Sequence, residues 1–123
     1  MHDDDRLSVA VLQTVHGFHN AHDKAVRLAV VTSIECVLKT VDPGNTSEAR
    51  QVLYQTLAEL LKVRVHDRCP QVREKAVAAV SAFQTGKKDC DVTQQLVALL
   101  CTDTHAEVRR SILQCVAPRK EFL

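Results

Sequence analysis

The residues able to do chemistry are cysteines, histidines and cations, and they gather at a few places. The stretch DRCPQVREKAVAAV, Asp67 to Val80, sets Arg68, Cys69 and Arg73, with His66 one step upstream, ahead of small apolar residues. A thiol at a helix start, near a histidine, has the surroundings that lower a cysteine pKa and make a nucleophile. Cys69 with His66, and Cys101 with His105, have this proximity in sequence. Neither pair stands beside an oxyanion-hole motif or a third orienting group. A Gly-rich phosphate loop and a paired-carboxylate motif are also lacking. The chain therefore reads as a non-enzyme without a cofactor. In HGFHNAH, His16, His19 and His22 recur at three-residue steps, but Gly17 and Asn20 mark a helix end and loop, and no carboxylate or thiol stands at ligand spacing. No metal site is expected there.

The cations carry more weight. Between Lys62 and Lys75 there are five bases, Lys62, Arg64, Arg68, Arg73 and Lys75, against the two acids Asp67 and Glu74. Lys87-Lys88, Arg109-Arg110 and Arg119-Lys120 add further pairs near turns or helix starts. Arg27, Arg73 and Arg109 have a structural reading, given below. Lys62, Arg64, Arg68, Lys75 and Arg110 have no such duty in the sequence. Lining one groove, they would neutralise phosphates along a nucleic-acid backbone without reading bases.

Helices must position these groups. Three glycines, three prolines and 3% aromatics leave few turn residues for a many-stranded sheet, whereas 46% apolar residues suffice for one core in 123 residues. A formal net charge of +1 supplies no global field. The start, MHDDDR, is acidic where a secretory leader is basic, and no apolar stretch is long enough to cross a bilayer. Five singly placed cysteines without a C-x-x-C pair argue for reduced thiols.

Apolar residues at three- and four-residue steps predict six helices in three antiparallel pairs. Leu7, Val11, Val15 and Phe18 mark the first, and Leu28, Val31 and Leu38 the second, with Glu35 off its face. After the turn DPGN, Thr46 or Ser47 caps a third helix with the stripe Leu53, Leu57, Leu60 and Leu61. Pro70 suits the first turn of a fourth, seated by Val72, Ala76, Ala79, Val80 and Phe83 and ended by TGKKD. Capping-box spacings at Asp91/Gln94 and Thr104/Glu107 open the last two. These carry Leu96, Leu99 and Leu100, then Val108, Ile112, Cys115 and Val116, and Pro118 stops the chain's last helix. Cys36, Cys101 and Cys115 fall on apolar stripes and read as small core residues.

A repeat lies beneath the pairs. DRCPQVREKAVAAV aligns with DTHAEVRRSILQCV, Asp103 to Val116, placing Val72-Arg73 over Val108-Arg109 at an offset of 36 residues. A looser copy holds Val26-Arg27, 46 residues before Val72-Arg73, with Ala21 where the others have Asp67 and Asp103. Helix pairs of about 40 residues with this mark have the period of HEAT repeats. The valine seats the inner helix, and the aspartate and arginine at helix starts can bond across to the neighbouring repeat. The expected architecture is an all-α HEAT-repeat solenoid of about three helix pairs, near residues 4–41, 46–84 and 90–117.

LLKVRVHDRCPQVREKAVAAVSAFQ, Leu60 to Gln84, followed by EVRRSILQCVAP, Glu107 to Pro118, resembles the condensin subunit 3 family of G-type HEAT subunits. The resemblance lies in a leucine-rich helix, a D-x-x-P-x-V-R inner helix and a V-R-R…C-V-A-P close. It implies a non-catalytic subunit that clamps a kleisin segment and holds double-stranded DNA by its backbone during mitotic chromosome condensation, in the nucleus and on chromosomes. Lys62, Arg64, Arg68, Lys75 and Arg110 are then the candidate DNA contacts. Family members are many repeats long, so the chain is expected to be a piece of a longer solenoid, with open ends that favour a homodimer in isolation. An importin-like or phosphatase-scaffold-like protein that binds only protein is the competing expectation.

Overall fold

The computed structural model describes residues 10, 13, 15, 17–18, 20–39, 48–84 and 90–116. Their regular structure is helical: α1 is Lys24–Lys39, α2 Glu48–Arg64, α3 Pro70–Val80, α4 Asp91–Thr102 and α5 Ala106–Cys115, with a 3-10 turn at Ser81–Phe83 after α3. Most of the first expected helix, the turn Asp42 to Asn45, the caps Thr46 and Ser47, the stretch Thr85 to Asp89, and Pro118 lie outside the described residues.

Pro70 opens α3, where its missing N–H removes a donor that would have no partner. The N-caps of α3, α4 and α5 are Cys69, Cys90 and His105, each extended and without a side-chain cap bond. The two expected capping boxes are thus corrected. Asp91 is already inside its helix, and its carboxylate turns to Lys62 and Gln95. At α5, Asp103 rather than Thr104 receives a backbone bond, from His105 N–H at 2.9 Å.

Packing places α3 at the centre, against α1 on one side and α5 on the other, with α2 behind it, while α4 packs on α5. The helices α1, α3 and α5 form an inner layer, and α2 and α4 precede its second and third members. This is an all-α, HEAT-like arrangement. One core joins the layers. Leu53, Leu57, Leu60 and Leu61 of α2 are all buried, as are Val72, Ala76, Ala79 and Val80 of α3. Val77, not singled out by its spacing, is fully buried as well, because α3 is covered on several sides. In α1 the buried face is Val30, Val31 and Ile34, with Leu28 and Leu38 at its margin. Cys36 and Cys101 are exposed, contrary to expectation, since each follows by two residues a buried position on its helix, Ile34 and Leu99. Two residues turn a helix by more than half a revolution. The buried thiol is Cys90, and Cys115 packs at the core's edge.

Candidate functional site

The starts of the inner helices lie side by side, and a ladder of charge ties them. Arg27, in the first turn of α1, donates from Nε to Asp67 Oδ2 at 2.7 Å and from Nη2 to Oδ1 at 3.1 Å. Its Nη1 closes back on the carbonyls of Ala21 (2.8 Å) and His22 (2.7 Å). Arg73 in α3 repeats the pattern one step along. Nε donates to Asp103 Oδ2 at 2.7 Å, Nη2 to Oδ1 at 3.3 Å, and Nη1 to the Asp67 carbonyl at 2.8 Å. His105 Nδ1 stands 3.0 Å from Arg73 Nη2 and accepts in its Nε2-protonated tautomer. Each aspartate also takes the N–H two residues on, from Cys69 at 2.8 Å and His105 at 2.9 Å. The planar guanidinium fork suits this two-point grip on a carboxylate.

The electrostatics follow from that geometry. Burial pushes the Asp67 carboxyl up, but hydrogen bonds from Arg27 and the Cys69 N–H, with the charges of Arg27 and Arg64, hold it below the usual carboxylate range. Asp103 is likewise raised by burial and brought below that range by the His105 N–H and by Arg73. The hydrogen bond to Asp67 raises Arg27 further, against its burial.

The five candidate contacts separate into two groups. Arg64 is buried, donates from Nη1 to Asp67 Oδ2 at 2.8 Å, and reaches Asn20 Oδ1 at 3.2 Å. Lys62 spans from α2 to the start of α4, with Nζ 2.9 Å from Asp91 Oδ2 and 3.2 Å from Glu59 Oε1. The bond to Asp91 raises the Lys62 pKa and lowers that of Asp91. Both therefore have structural duties that the sequence reading did not give them. The reason is placement: the last turn of α2 runs into the same corner that holds Asp67, and Asp91 opens α4 beside it. Arg68, Lys75 and Arg110 are exposed. Arg68 Nη2 donates to the His22 carbonyl at 3.1 Å, and Lys75 Nζ stands 3.9 Å from Glu35 Oε1.

Among the signature residues, Val72 and Val108 are fully buried, Val26 is half-buried, and Arg109 is exposed at the start of α5. Shallow clefts run along this edge among the described residues. One of about 400 Å³ is lined by His22, Lys24, Arg27, Arg68, Cys69 and Pro70. A second, of about 350 Å³, lies between Asn20, Arg64, His66 and Arg68, and a third, of about 310 Å³, reaches Asp103 and Thr104. Arg68 borders all three; Cys69 lines the first and His66 the other two. Among the described residues no group of three or more His, Cys, Asp or Glu is placed to hold a metal, and His16 and His19 lie outside those residues.

One contact had no signal in the sequence. Gln84 donates from Nε2 to the Cys115 carbonyl at 2.8 Å and accepts from Thr93 Oγ1 at 3.0 Å, so one amide joins the ends of α3 and α5 to α4.

The chain is similar to three curated proteins of one description. It is 33% identical over 109 residues to condensin complex subunit 3 of Homo sapiens and 34% identical over 106 residues to that of Xenopus laevis, covering 85% of this chain in each case. The Schizosaccharomyces pombe counterpart is 42% identical over 96 residues, 76% of the chain. The chain spans about 10% of the length of each relative. No protein-family model matches it.

Proposed function

We propose, on the premise that the chain belongs with condensin complex subunit 3 as the counterpart of about 10% of its length, that it is a non-catalytic helical-repeat segment of a condensin regulatory subunit. In this role it acts in chromosome condensation, in the nucleus and on chromosomes, and contacts kleisin and the backbone of double-stranded DNA. The observation that carries the reading is the match to three condensin subunits along most of a stacked, HEAT-like chain. Among the described residues no helix is long and apolar enough to cross a membrane.

Arg68, Lys75 and Arg110 are the proposed phosphate contacts, since their charges are exposed. Arg64 leaves that set because the buried Asp67 holds it, and Lys62 because Asp91 and Glu59 beside it already pair with it. The same neutralisation favours a second reading, a scaffold that binds only protein. Two assays separate them: capture of the chain by an immobilised kleisin segment, and mobility shift of a short duplex at low salt. Capture together with a shift supports the full proposal, capture without a shift favours the scaffold, and loss of both contradicts a condensin role.

A further inference from the structure

Between α4 and α5 the chain leaves the helical conformation only at Asp103, Thr104 and His105. The stretch is extended, with Asp103 at φ −76° and ψ 133° and His105 at φ −88° and ψ 125°. Thr104 stands exposed at its middle. Among the described residues the other exposed hydroxyls, Ser33 and Thr102, lie inside helices and donate to the carbonyls of Ala29 and Ala98. Phosphoryl transfer needs the acceptor hydroxyl in line with the γ-phosphorus of ATP. An extended stretch offers its hydroxyl to a kinase without unwinding; a helix does not. Glu107, three residues after Thr104, is exposed in the first turn of α5. That T-x-x-E spacing suits a kinase that selects acidic sites.

The surroundings decide what a phosphate at Thr104 does. Thr104 lines the cleft of about 310 Å³ together with His66, Asp67, Arg68, Arg73 and Asp103. Both carboxylates there are already gripped, Asp67 by Arg27 and Arg64, and Asp103 by Arg73. Arg73 is committed to Asp103 by two bonds. Arg68 differs: it is exposed, and its Nη2 donates to a neutral acceptor, the His22 carbonyl, at 3.1 Å. We infer that Thr104 is a phosphorylation site whose phosphate is taken by Arg68 across this cleft. In the transfer, Thr104 Oγ1 bonds to the γ-phosphorus, ADP leaves with the electron pair of the broken P–O bond, and the hydroxyl proton passes to the kinase's base. The product carries a charge of about −1.5 to −2 and three acceptor oxygens, which the guanidinium fork can grip at two points. The consequence for DNA rests on the proposed function: the modified chain covers one of its own duplex contacts.

The test treats the unaltered chain with an acid-directed casein kinase and ATP, and reads sites by mass spectrometry. A phosphate should appear on Thr104; a Thr104 left unmodified while a control acidic peptide is phosphorylated overturns the inference. In the phosphorylated chain, the ³¹P resonance of that group should titrate about 0.3 pH unit or more higher once Arg68→Ala removes the cation. A titration unmoved by Arg68→Ala overturns the capture. Phosphorylation should then flatten the salt dependence of duplex binding by about 0.9 in slope, whereas kinase-treated Thr104→Val keeps the original slope. Duplex binding that survives with its slope unchanged overturns the masking of Arg68. If the untreated chain binds no duplex, the DNA reading fails, while the site and its capture by Arg68 are still decided by the mass and ³¹P measurements.

Discussion

Asp67 takes hydrogen bonds from Arg27, from Arg64 and from the backbone of Cys69, and is itself almost fully buried. Asp67→Ala leaves two buried guanidinium groups without their carboxylate, which costs about 3–5 kcal/mol. Urea denaturation at pH 7 should show that loss. Asp103→Ala, which frees one arginine nearer solvent, should cost about 2 kcal/mol. Both carboxyls sit below the ordinary range in the folded chain, so their contribution is complete above about pH 4, the unfolded value. It is lost as pH falls through the lowered folded values, because the unfolded chain takes up protons first. Urea midpoints measured from pH 7 to pH 2 should fall less steeply in Asp67→Asn and Asp103→Asn than in the unaltered chain. At this scale the sequence was informative where one residue type recurred at fixed spacing, as with Val-Arg and its aspartate. It was silent on Arg64, which differs from its neighbours only by the corner into which α2 delivers it. It was equally silent on Gln84, whose partners lie 9 and 31 residues away.

Within the helices, burial separates residues that composition does not. Leu61 of α2 is at 0% exposure and Val63, two residues on, at 51%. Leu61→Ala should therefore destabilise by about 2–5 kcal/mol, and Val63→Ala by no more than about 0.5 kcal/mol, read from the same urea curves. Ala76 is fully buried on α3, which packs against α1, α2 and α5. Ala76→Leu should cost about 1–3 kcal/mol through overpacking. Helix existence and the α2 stripe were legible because 3.6-residue periodicity reports one buried face. Val77 was not, since a helix covered on several sides has no single stripe. The caps were misread at two places: Asp91 lies inside α4 with its carboxylate on Lys62 and Gln95, and at the start of α5 the backbone bond goes to Asp103 instead of Thr104.

At the scale of the molecule, two consecutive arginine–aspartate grips among the described residues hold three inner helices in one layer, while Arg109 is exposed. The architecture was readable because the repeat states the same local rule more than once. Which cations the fold pairs was not readable, because counting them does not tell which carboxylates they meet. Titration of a short fluorescent duplex at several salt concentrations tests the central claim. If Arg68, Lys75 and Arg110 each neutralise a phosphate, the logarithm of affinity should fall against the logarithm of salt with a slope of about −2.7. Each single Ala substitution at these positions should reduce that slope by about 0.9, equally on unrelated duplex sequences. Binding that is absent at low salt, or whose slope is unchanged in the triple variant, would contradict the account.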